Sequence, residues 1–460
     1  MMKRAILSDL KRWKDGAGRK PLLLYGARQV GKTHVLKAFG DTCFSNIHYI
    51  NFEEQPDNAL IFNEGLRPQQ IIQNIQAKTR TPVDVAHDII VFDEIQECDA
   101  ALTSLKYFAE DMPALAICGA GSRLGLSLNN ASFPVGKVDT LKLYPLSFRE
   151  FVDATAPHLA PALELDVNVF PKISEIEHRQ LWDVLKNYYV VGGLPEIVDL
   201  FRVEQKEDRI AAFGQVRRLQ HALLTGYMSD FSKHAGKENA AHIHRVFEQV
   251  PIQLQSVLDG SVKRFKFKGV IPSRSRYADL AGPIDWLVRA GLVYKCHQTN
   301  TPQIPLKAYT KKNLFKLFLF DVGLLGAMLD LPINAIIQQD YGSYKGWVAE
   351  NYVAQALTQS GVSTLVAWQR NQAEMEFIIQ QGDQVVPIEV KSGNRIRSKS
   401  LSAYRQRYAP AHSVRISPKG LAIHLPDPVR EDSASETLID CPLYFSGDIK
   451  RVVNHSMTLT

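Results

Sequence analysis

Short apolar runs that alternate with helical stretches mark the first third of the chain. The apolar runs predict strands at 21–25, 47–52, 88–92, 114–118 and 140–144, and a short basic amphipathic helix at 6–13 precedes them. Strands that alternate with helices are typical of a parallel α/β sheet. The pattern therefore predicts an N-terminal α/β domain over residues 1–155.

The hydrophobic pattern changes twice further along the chain. It is mostly helical over a predicted middle domain at 173–333. It then predicts a helix at 347–359 and strands at 364–368, 375–380 and 385–390 in a small α/β domain at 340–460. Residues 154–171 are rich in Ala and Pro and form either a linker or a variable insertion. Within the middle domain, residues 284–294 predict an amphipathic helix, a stop at Gly291 and a strand, an ending that occurs in winged-helix domains.

Composition excludes several classes of protein. With 460 residues, 45% of them hydrophobic, the chain can bury ordinary globular cores. The N-terminus lacks the apolar region of a signal peptide. Residues 314–329, a long apolar run, contain Lys316 and Asp321, so no membrane span is expected. The five cysteines lie far apart without a CxxC pair, which fits a reducing compartment and no zinc framework. We expect a cytoplasmic protein.

Positive charge is moderate overall but locally clustered. The formal net charge of +6 permits an anionic partner without requiring one. Residues 263–268 interleave basic and aromatic side chains. A second basic cluster contains Lys391, Arg395, Arg397 and Lys399. These segments either contact the phosphates of DNA or RNA or form solvated faces on a domain that contacts proteins, and the sequence leaves both open.

A phosphate-binding motif follows the first predicted strand and precedes a helix. It matches G-x-x-x-x-G-K-[ST] and consists of Gly26, Ala27, Arg28, Gln29, Val30, Gly31, Lys32 and Thr33. Gly26 and Gly31 let the backbone N–H groups turn toward phosphate oxygens. Lys32 supplies charge to the β- and γ-phosphates, and the Thr33 hydroxyl can bind Mg²⁺. The sequence therefore predicts an ATP and Mg²⁺ site.

Two carboxylates follow the third predicted strand. That strand is continuously apolar, as in a buried parallel strand, and ligands bind at the carboxyl end of such strands. We expect Asp93 to orient Mg²⁺ through water and Glu94 to act as general base on the attacking water. The Gly-rich segment that ends at Ser122 and Arg123 either senses the γ-phosphate through Ser122 or is a flexible loop with an incidental serine.

Many P-loop ATPases also use an arginine from a neighbouring subunit. Arg123, Lys137 and Arg149 are candidates for that role, and a homo-oligomer would be needed to supply it.

At this point the chain resembles the AAA-type ATPases of bacteria and archaea that carry a restriction-endonuclease-like C-terminal domain. Besides the phosphate-binding motif, the resemblance rests on the following segments: 93–96, 144–151, 192–196, 320–325 and 389–393. It implies a parallel-sheet P-loop AAA ATPase domain, a helical and winged-helix-like middle domain and a small nuclease-like α/β domain. Two positions depart from the family pattern, Ala120 in place of Ser and Lys137 in place of Arg.

The C-terminal acids resemble the active site of PD-(D/E)xK nucleases in their order. Glu350 lies on a predicted helix, Glu376 on a strand, and Glu389 and Lys391 at the end of the next strand. The resemblance implies that Glu350, Glu376 and Glu389 bind metal and that Glu376, Glu389 and Lys391 catalyse. The family has Asp where this chain has Glu376. The alternative is a degenerate fold that serves as a docking surface.

The sequence as a whole predicts an enzyme that hydrolyses ATP and couples nucleotide state to a nuclease-like domain acting on nucleic acid. The alternative is an ATP-gated protein-interaction or signalling switch in which the nuclease-like fold is catalytically dead.

Overall fold

A computed structural model describes most of the chain. The described residues are 2–122, 124–127, 134–164, 173–234, 237–255, 264–338, 344–391, 393, 399–426 and 436–459. The chain forms two compact units. The N-terminal unit contains Met1–Pro145 and Arg289–Gly291, and the C-terminal unit contains Leu146–Val288 and Leu292–Thr460.

The described residues of the N-terminal unit form a five-stranded parallel sheet in the order β2-β3-β4-β1-β5. Its strands are β1 (Leu22–Tyr25), β2 (Ile47–Asn51), β3 (Ile89–Asp93), β4 (Ala116–Gly121) and β5 (Asp139–Lys142). All five strands and their parallel arrangement are confirmed. The fourth strand extends beyond the predicted 114–118, because Gly119–Gly121 forms the end of β4. A Cβ atom on Gly119 would lie 2.7 Å from the Leu23 side chain, so this strand can pack there only because it is glycine-rich.

Helices connect these strands. The described helices are α1 (Ile6–Asp15), α2 (Lys32–Cys43), α3 (Pro68–Thr79), α4 (Asp99–Asp111) and α5 (Leu124–Ser127). Apolar side chains from α3 and α4 pack on the sheet in one hydrophobic cluster that includes Ile75, Leu105 and Phe92. β3 is completely buried, as its uninterrupted apolar sequence predicts.

The C-terminal unit combines helices with a mixed sheet. Its described helices are α6 (Phe148–Thr155), α7 (Glu175–Val191), α8 (Pro195–Glu204), α9 (Arg209–His234), α10 (Lys237–Gln255), α11 (Tyr277–Arg289), α12 (Val322–Met328), α13 (Ile333–Ile337), α14 (Tyr344–Gln359), α15 (Lys399–Tyr408) and α16 (Ile449–Met457). Its described strands are β6 (Val293–Thr299), β7 (Phe315–Leu319), β8 (Leu365–Arg370), β9 (Ala373–Gln381), β10 (Gln384–Val390), β11 (His412–Ser417), β12 (Ala422–His424) and β13 (Thr437–Pro442).

These strands form one eight-stranded sheet in the order β12-β13-β11-β10-β9-β8-β6-β7. The predicted helix, Gly291 turn and strand are confirmed as the end of α11 and the start of β6. However, β6 and β7 come from the predicted middle domain, and β6 pairs in parallel with β8 of the predicted C-terminal domain. One sheet thus contains strands from both predicted domains. The predicted boundary between 333 and 340 remains a prediction.

Three sequence segments that carry the family resemblance meet at a buried hydrogen-bond network in the C-terminal unit. The Leu146 N–H donates to the Gly193 carbonyl at 2.6 Å, and the Gly193 N–H donates to Asp321 Oδ2 at 2.7 Å. The Tyr188 hydroxyl donates to the Leu146 carbonyl, and it accepts from Gln355 Nε2 at 2.9 Å. Both backbone polar groups of Leu146, the first residue of the C-terminal unit, are therefore hydrogen-bonded within that unit.

No helix within the described residues is both long enough and apolar enough to span a membrane.

Candidate functional site

The phosphate-binding loop connects β1 to α2 in the N-terminal unit. Gly31 has φ +92°, a left-handed conformation that favours glycine, and it is the N-cap residue of α2. A Cβ atom on Gly26 would lie 2.1 Å from the Leu143 carbonyl oxygen. These two constraints explain why the motif has glycine at both positions.

The Lys32 side chain lies inside this loop. Its Nζ donates to the carbonyl oxygens of Gly26 at 3.1 Å and Ala27 at 2.9 Å. Burial lowers the pKa of Lys32 to about 8, although the nearby charges of Glu94 and Asp93 raise it. An anionic phosphate beside Lys32 would replace neutral carbonyl acceptors with a charged one, which makes a stronger hydrogen bond.

Asp93 ends β3 next to the start of α2. Its Oδ2 accepts hydrogen bonds from the Thr33 hydroxyl and from the Tyr49 hydroxyl, both at 2.6 Å. Tyr49 lies on the adjacent strand β2 and in turn accepts from Asn51 Nδ2 at 3.2 Å. Asp93 is 1% exposed. The structure therefore brings Thr33 and Asp93 together as predicted, and it adds Tyr49 as a direct partner of the carboxylate.

Glu94, the next residue, has φ +48°, so its backbone turns away from the line of the strand. Its Oε2 accepts from Gln96 Nε2 at 2.6 Å and lies 3.5 Å from the Ser122 backbone nitrogen. The Arg28 Nε lies 3.5 Å from the Ser122 hydroxyl oxygen. Glu94, Ser122 and Arg28 thus lie around one point at the carboxyl end of the sheet, whereas Arg123 lies outside the described residues.

Four residues at this site were missed by the sequence analysis. Tyr49 and Asn51 stand at the end of β2, directly beside β3 in the sheet, so polar residues at a strand end could have identified them. Gln96 follows Glu94 closely in the chain. Arg4 carried no sequence signal: its guanidinium donates to the Val30 carbonyl at 2.9 Å and to the Tyr144 carbonyl at 2.7 Å, and the residue is 7% exposed.

The acids of the C-terminal unit form two ion-pair groups. Glu389 is fully buried, and its Oε1 lies 2.8 Å from Lys391 Nζ, so the two side chains share one face, as their spacing predicts. Glu376 on the neighbouring strand β9 accepts from the Val390 N–H at 3.1 Å. These three residues therefore lie at adjacent ends of β9 and β10.

The second group surrounds Lys316, which the sequence analysis did not assign to the site. This buried residue of β7 pairs with Glu350 at 3.5 Å and with Glu374 in a closer contact. Burial alone would lower the pKa of Lys316, but Glu374 and Glu350 outweigh it and raise that pKa above its ordinary value. One ammonium group thus neutralises Glu350, which is itself a predicted metal ligand, together with Glu374.

Within the described residues, no group of three or more His, Cys, Asp or Glu side chains is arranged to hold a metal ion. The metal-binding role of Glu350, Glu376 and Glu389 remains a prediction.

Basic and aromatic side chains alternate along residues 264–268. Arg264, Lys266 and Lys268 are exposed. Phe265 is buried, and both it and Phe267 pack on the Phe315 ring, at centroid distances of 6.1 and 5.8 Å. The aromatic side chains therefore serve packing, and the basic ones face solvent. Lys263, Arg395 and Arg397 lie outside the described residues.

Lys137 and Arg149 are the other two candidates for the charged residue that a neighbouring subunit would supply, and they belong to different units. Lys137 forms an ion pair with Glu110 at 2.9 Å on the surface of the N-terminal unit. Arg149 lies in α6 of the C-terminal unit, where it lines a cleft.

A five-stranded parallel sheet, a phosphate-binding loop after β1 and an Asp-Glu pair at the end of β3 define an ATPase domain of the P-loop class. The sequence model of the AAA domain matches residues 18–152. The N-terminal unit therefore contains a P-loop ATPase domain of the AAA type. Two further models match later segments of the chain: a domain of unknown function (DUF8612) at 183–334 and another (DUF4143) at 345–440.

Solved structures with similar folds are distant. A Walker-type ATPase of Pyrococcus abyssi is 16% identical with a TM-score of 0.44, over 72% of this chain and 96% of that chain. The ORC1 protein of Aeropyrum pernix, solved in complex with DNA, is 13% identical with a TM-score of 0.29, over 72% and 91%. The RuvB Holliday junction branch migration motor of Thermotoga maritima is 16% identical with a TM-score of 0.30, over 64% and 90%. At these TM-scores, the similarities say nothing further about what this chain does. No curated protein matches the chain significantly.

Proposed function

We propose that this chain hydrolyses Mg-ATP in its N-terminal unit and that the nucleotide state controls a C-terminal unit that binds nucleic acid. The observation that carries the first part is the arrangement of Lys32, Thr33, Asp93 and Glu94 at one end of the sheet. The Thr33 hydroxyl and the Asp93 carboxylate are 2.6 Å apart. They are oxygen ligands of the kind that Mg²⁺ prefers.

Each residue has a defined task in this proposal. Backbone N–H groups of the loop and the Lys32 ammonium bind the phosphates. Thr33 and Asp93 hold Mg²⁺, which neutralises charge on the β- and γ-phosphates. Glu94 accepts a proton from the attacking water. Gln96 holds the Glu94 carboxylate through its 2.6 Å hydrogen bond and so fixes the direction from which the proton is taken.

Steady-state ATP hydrolysis by the purified full chain tests the first part. We expect the Lys32→Ala variant to lose both nucleotide binding and turnover, and the Lys78→Ala variant to behave as wild type. Lys78 is a matched control because it is an exposed lysine on α3 of the same unit. Unchanged turnover in Lys32→Ala would refute the ATPase assignment.

The second part rests on the exposed cations Arg264, Lys266 and Lys268, which project from one segment while its aromatic side chains pack inward. We expect DNA or RNA to stimulate ATP hydrolysis and to bind in a salt-dependent manner, because each phosphate contact releases counterions. Replacing all three residues with glutamine should reduce the salt slope by about three. Stimulation and salt slope that are unchanged in the triple variant would contradict this interpretation.

One observation favours the alternative, an ATP-gated protein-interaction switch that cuts nothing. Lys316 already neutralises Glu350 and Glu374 in the interior of the C-terminal unit. A cleavage assay on single- and double-stranded DNA and RNA with Mg²⁺ or Mn²⁺ separates the two functions. Cleavage that is lost in Lys391→Ala would establish a nuclease. ATP hydrolysis indifferent to every nucleic acid, with no cleavage, would establish the switch.

A further inference from the structure

A cleft opens on the C-terminal unit between the start of α6, the face of α14 and the turn at Leu443–Asp448. Its cavity volume is about 160 Å³. A cavity of this order holds a molecule with one aromatic ring, such as benzene. Within the described residues, its lining includes none of the acids that the sequence analysis assigned to metal binding or catalysis.

The Tyr352 hydroxyl is a buried polar group at this cleft. Tyr352 is 2% exposed, and its hydroxyl oxygen has no hydrogen-bond partner among the described residues. Its ring packs on Tyr189 at 5.3 Å and on Tyr188 at 5.9 Å between centroids. Tyr352 and Asp448 both line the cleft, and burial together with the charge of Asp448 raises the pKa of Tyr352. A buried hydroxyl without a hydrogen-bond partner is unfavourable, and a molecule in the cleft would supply the partner.

Arg149 supplies a positive charge at the same cleft. Its side chain is partly buried, and it forms no ion pair or hydrogen bond with the residues that the structure describes. The nearest acid in sequence, Glu150, is engaged elsewhere, because it accepts from the Ser147 N–H in the capping box of α6. Asp448 in turn pairs with Arg451 at 3.3 Å. The guanidinium of Arg149 is therefore available to a carboxylate or phosphate, whose planar oxygen pairs it matches.

The remaining walls combine apolar and polar side chains. The Phe148 and Tyr444 rings lie 6.5 Å apart, and Leu163 and Ala356 line the cleft together with Ser147, Gln359 and Ser360. An occupant with an anionic group on an apolar ring would match Arg149 and the aromatic part of the wall. We propose that this cleft binds a small organic anion, whose charged group pairs with Arg149 and accepts a hydrogen bond from the Tyr352 hydroxyl. The proposal does not depend on ATP hydrolysis.

Ligand-observed NMR titration of the full chain tests the proposal with three named probes. Benzoate and phenyl phosphate carry the two candidate anionic groups on one apolar ring, and benzamide is the neutral counterpart of benzoate. We expect both anions, or one of them, to bind at least about tenfold tighter than benzamide, since about 1.4 kcal/mol separates a charged hydrogen bond from a neutral one. The tighter of the two anions identifies the chemical class. Anions that bind no tighter than benzamide would overturn the proposal.

Three variants locate the binding. Arg149→Gln should weaken anion binding by at least about tenfold and Tyr352→Phe by about threefold to tenfold. Arg179→Gln should change nothing, because that arginine is 75% exposed and pairs with Glu175 on the surface. Anion affinities in Arg149→Gln and Tyr352→Phe that equal wild type would overturn the assignment. If Arg149→Gln does not fold, Tyr352→Phe still decides, because it removes only an unpartnered hydroxyl and should not lower the melting temperature.

Discussion

Replacing Asp321 by asparagine tests whether the buried network of the C-terminal unit contains a carboxylate with a raised pKa. Asp321 is fully buried, and burial raises its pKa to about 6, although hydrogen bonds from the Gly193 and Leu324 N–H groups oppose that rise. Tyr188 is the neighbouring titratable side chain, and its own pKa is raised mainly by burial and also by Asp321. Asparagine keeps the size of the side chain but cannot ionise.

The sign and size of the effect follow from linkage. The folded state binds the Asp321 proton more tightly than the unfolded state, where the ordinary pKa is 3.8. This contribution to stability is therefore fully present below the unfolded pKa and is lost as the pH rises through about 6. Between about pH 5 and pH 7 the wild type should lose about 1 kcal/mol of unfolding free energy through this group. The asparagine variant should lack that loss.

Urea unfolding followed by tryptophan fluorescence measures the effect in the relevant unit. Of the five tryptophans, only Trp13 lies in the N-terminal unit, so the emission reports mainly on the C-terminal unit. The quantity of interest is the wild-type minus variant free energy at each pH, which cancels the other titrating groups. Asp330→Asn is the matched control, because that side chain is 85% exposed, and it should keep the wild-type pH slope. A difference between wild type and Asp321→Asn that does not change with pH would refute the reasoning.

Three further predictions concern the two sites. Glu94→Gln should retain ATP binding, measured by calorimetry, while turnover falls by at least about a hundredfold, because the general base is lost; equal turnover would remove Glu94 from that role. Gln96→Ala should lower kcat by about tenfold with little change in KM, since a charged hydrogen bond contributes about 1.5–3 kcal/mol; a change confined to KM would contradict its positioning role. Lys316→Met should cost about 3–5 kcal/mol in urea unfolding, because the buried Glu350 and the partly buried Glu374 lose their cation; wild-type stability would show that these acids are not charged in the folded protein.

The centre of the sheet of the N-terminal unit was predictable because β1, β3 and β4 are short, mostly apolar runs that are almost completely buried, whereas β2 and β5 are only partly buried. The same pattern located the phosphate-binding loop and the acids after β3, since ligands bind where parallel strands end. The hydrophobic pattern could not predict which residues distant in sequence form hydrogen bonds with each other. Arg4 reaches the Val30 and Tyr144 carbonyls across 26 and 140 residues, and no periodicity links those positions.

Lys316 shows a second limit of prediction from sequence, which concerns buried charges. A single lysine within the apolar run 314–329 served the sequence analysis only as an argument against a membrane span. The same residue could have been interpreted as a buried cation that requires an acidic partner, because an unpaired ammonium is costly inside a protein. Sequence alone could not say which of the many acids would pair with it, since Glu350 and Glu374 come from α14 and β9 and meet it only in the folded sheet.

In the segment 146–151, most side chains have a structural role that the contacts explain, and Arg149 does not. Leu146 binds the Gly193 backbone, Ser147 caps α6 together with Glu150, and the Phe148 and Phe151 rings both pack on Tyr188. These contacts explain why the motif has apolar and capping residues at those positions. None of them needs a guanidinium, and the one arginine of the segment points to no acid of its own turn. A partly buried guanidinium without an acidic partner is free to pair with an anionic ligand, and the binding experiments on the Arg149 cleft test for such a ligand.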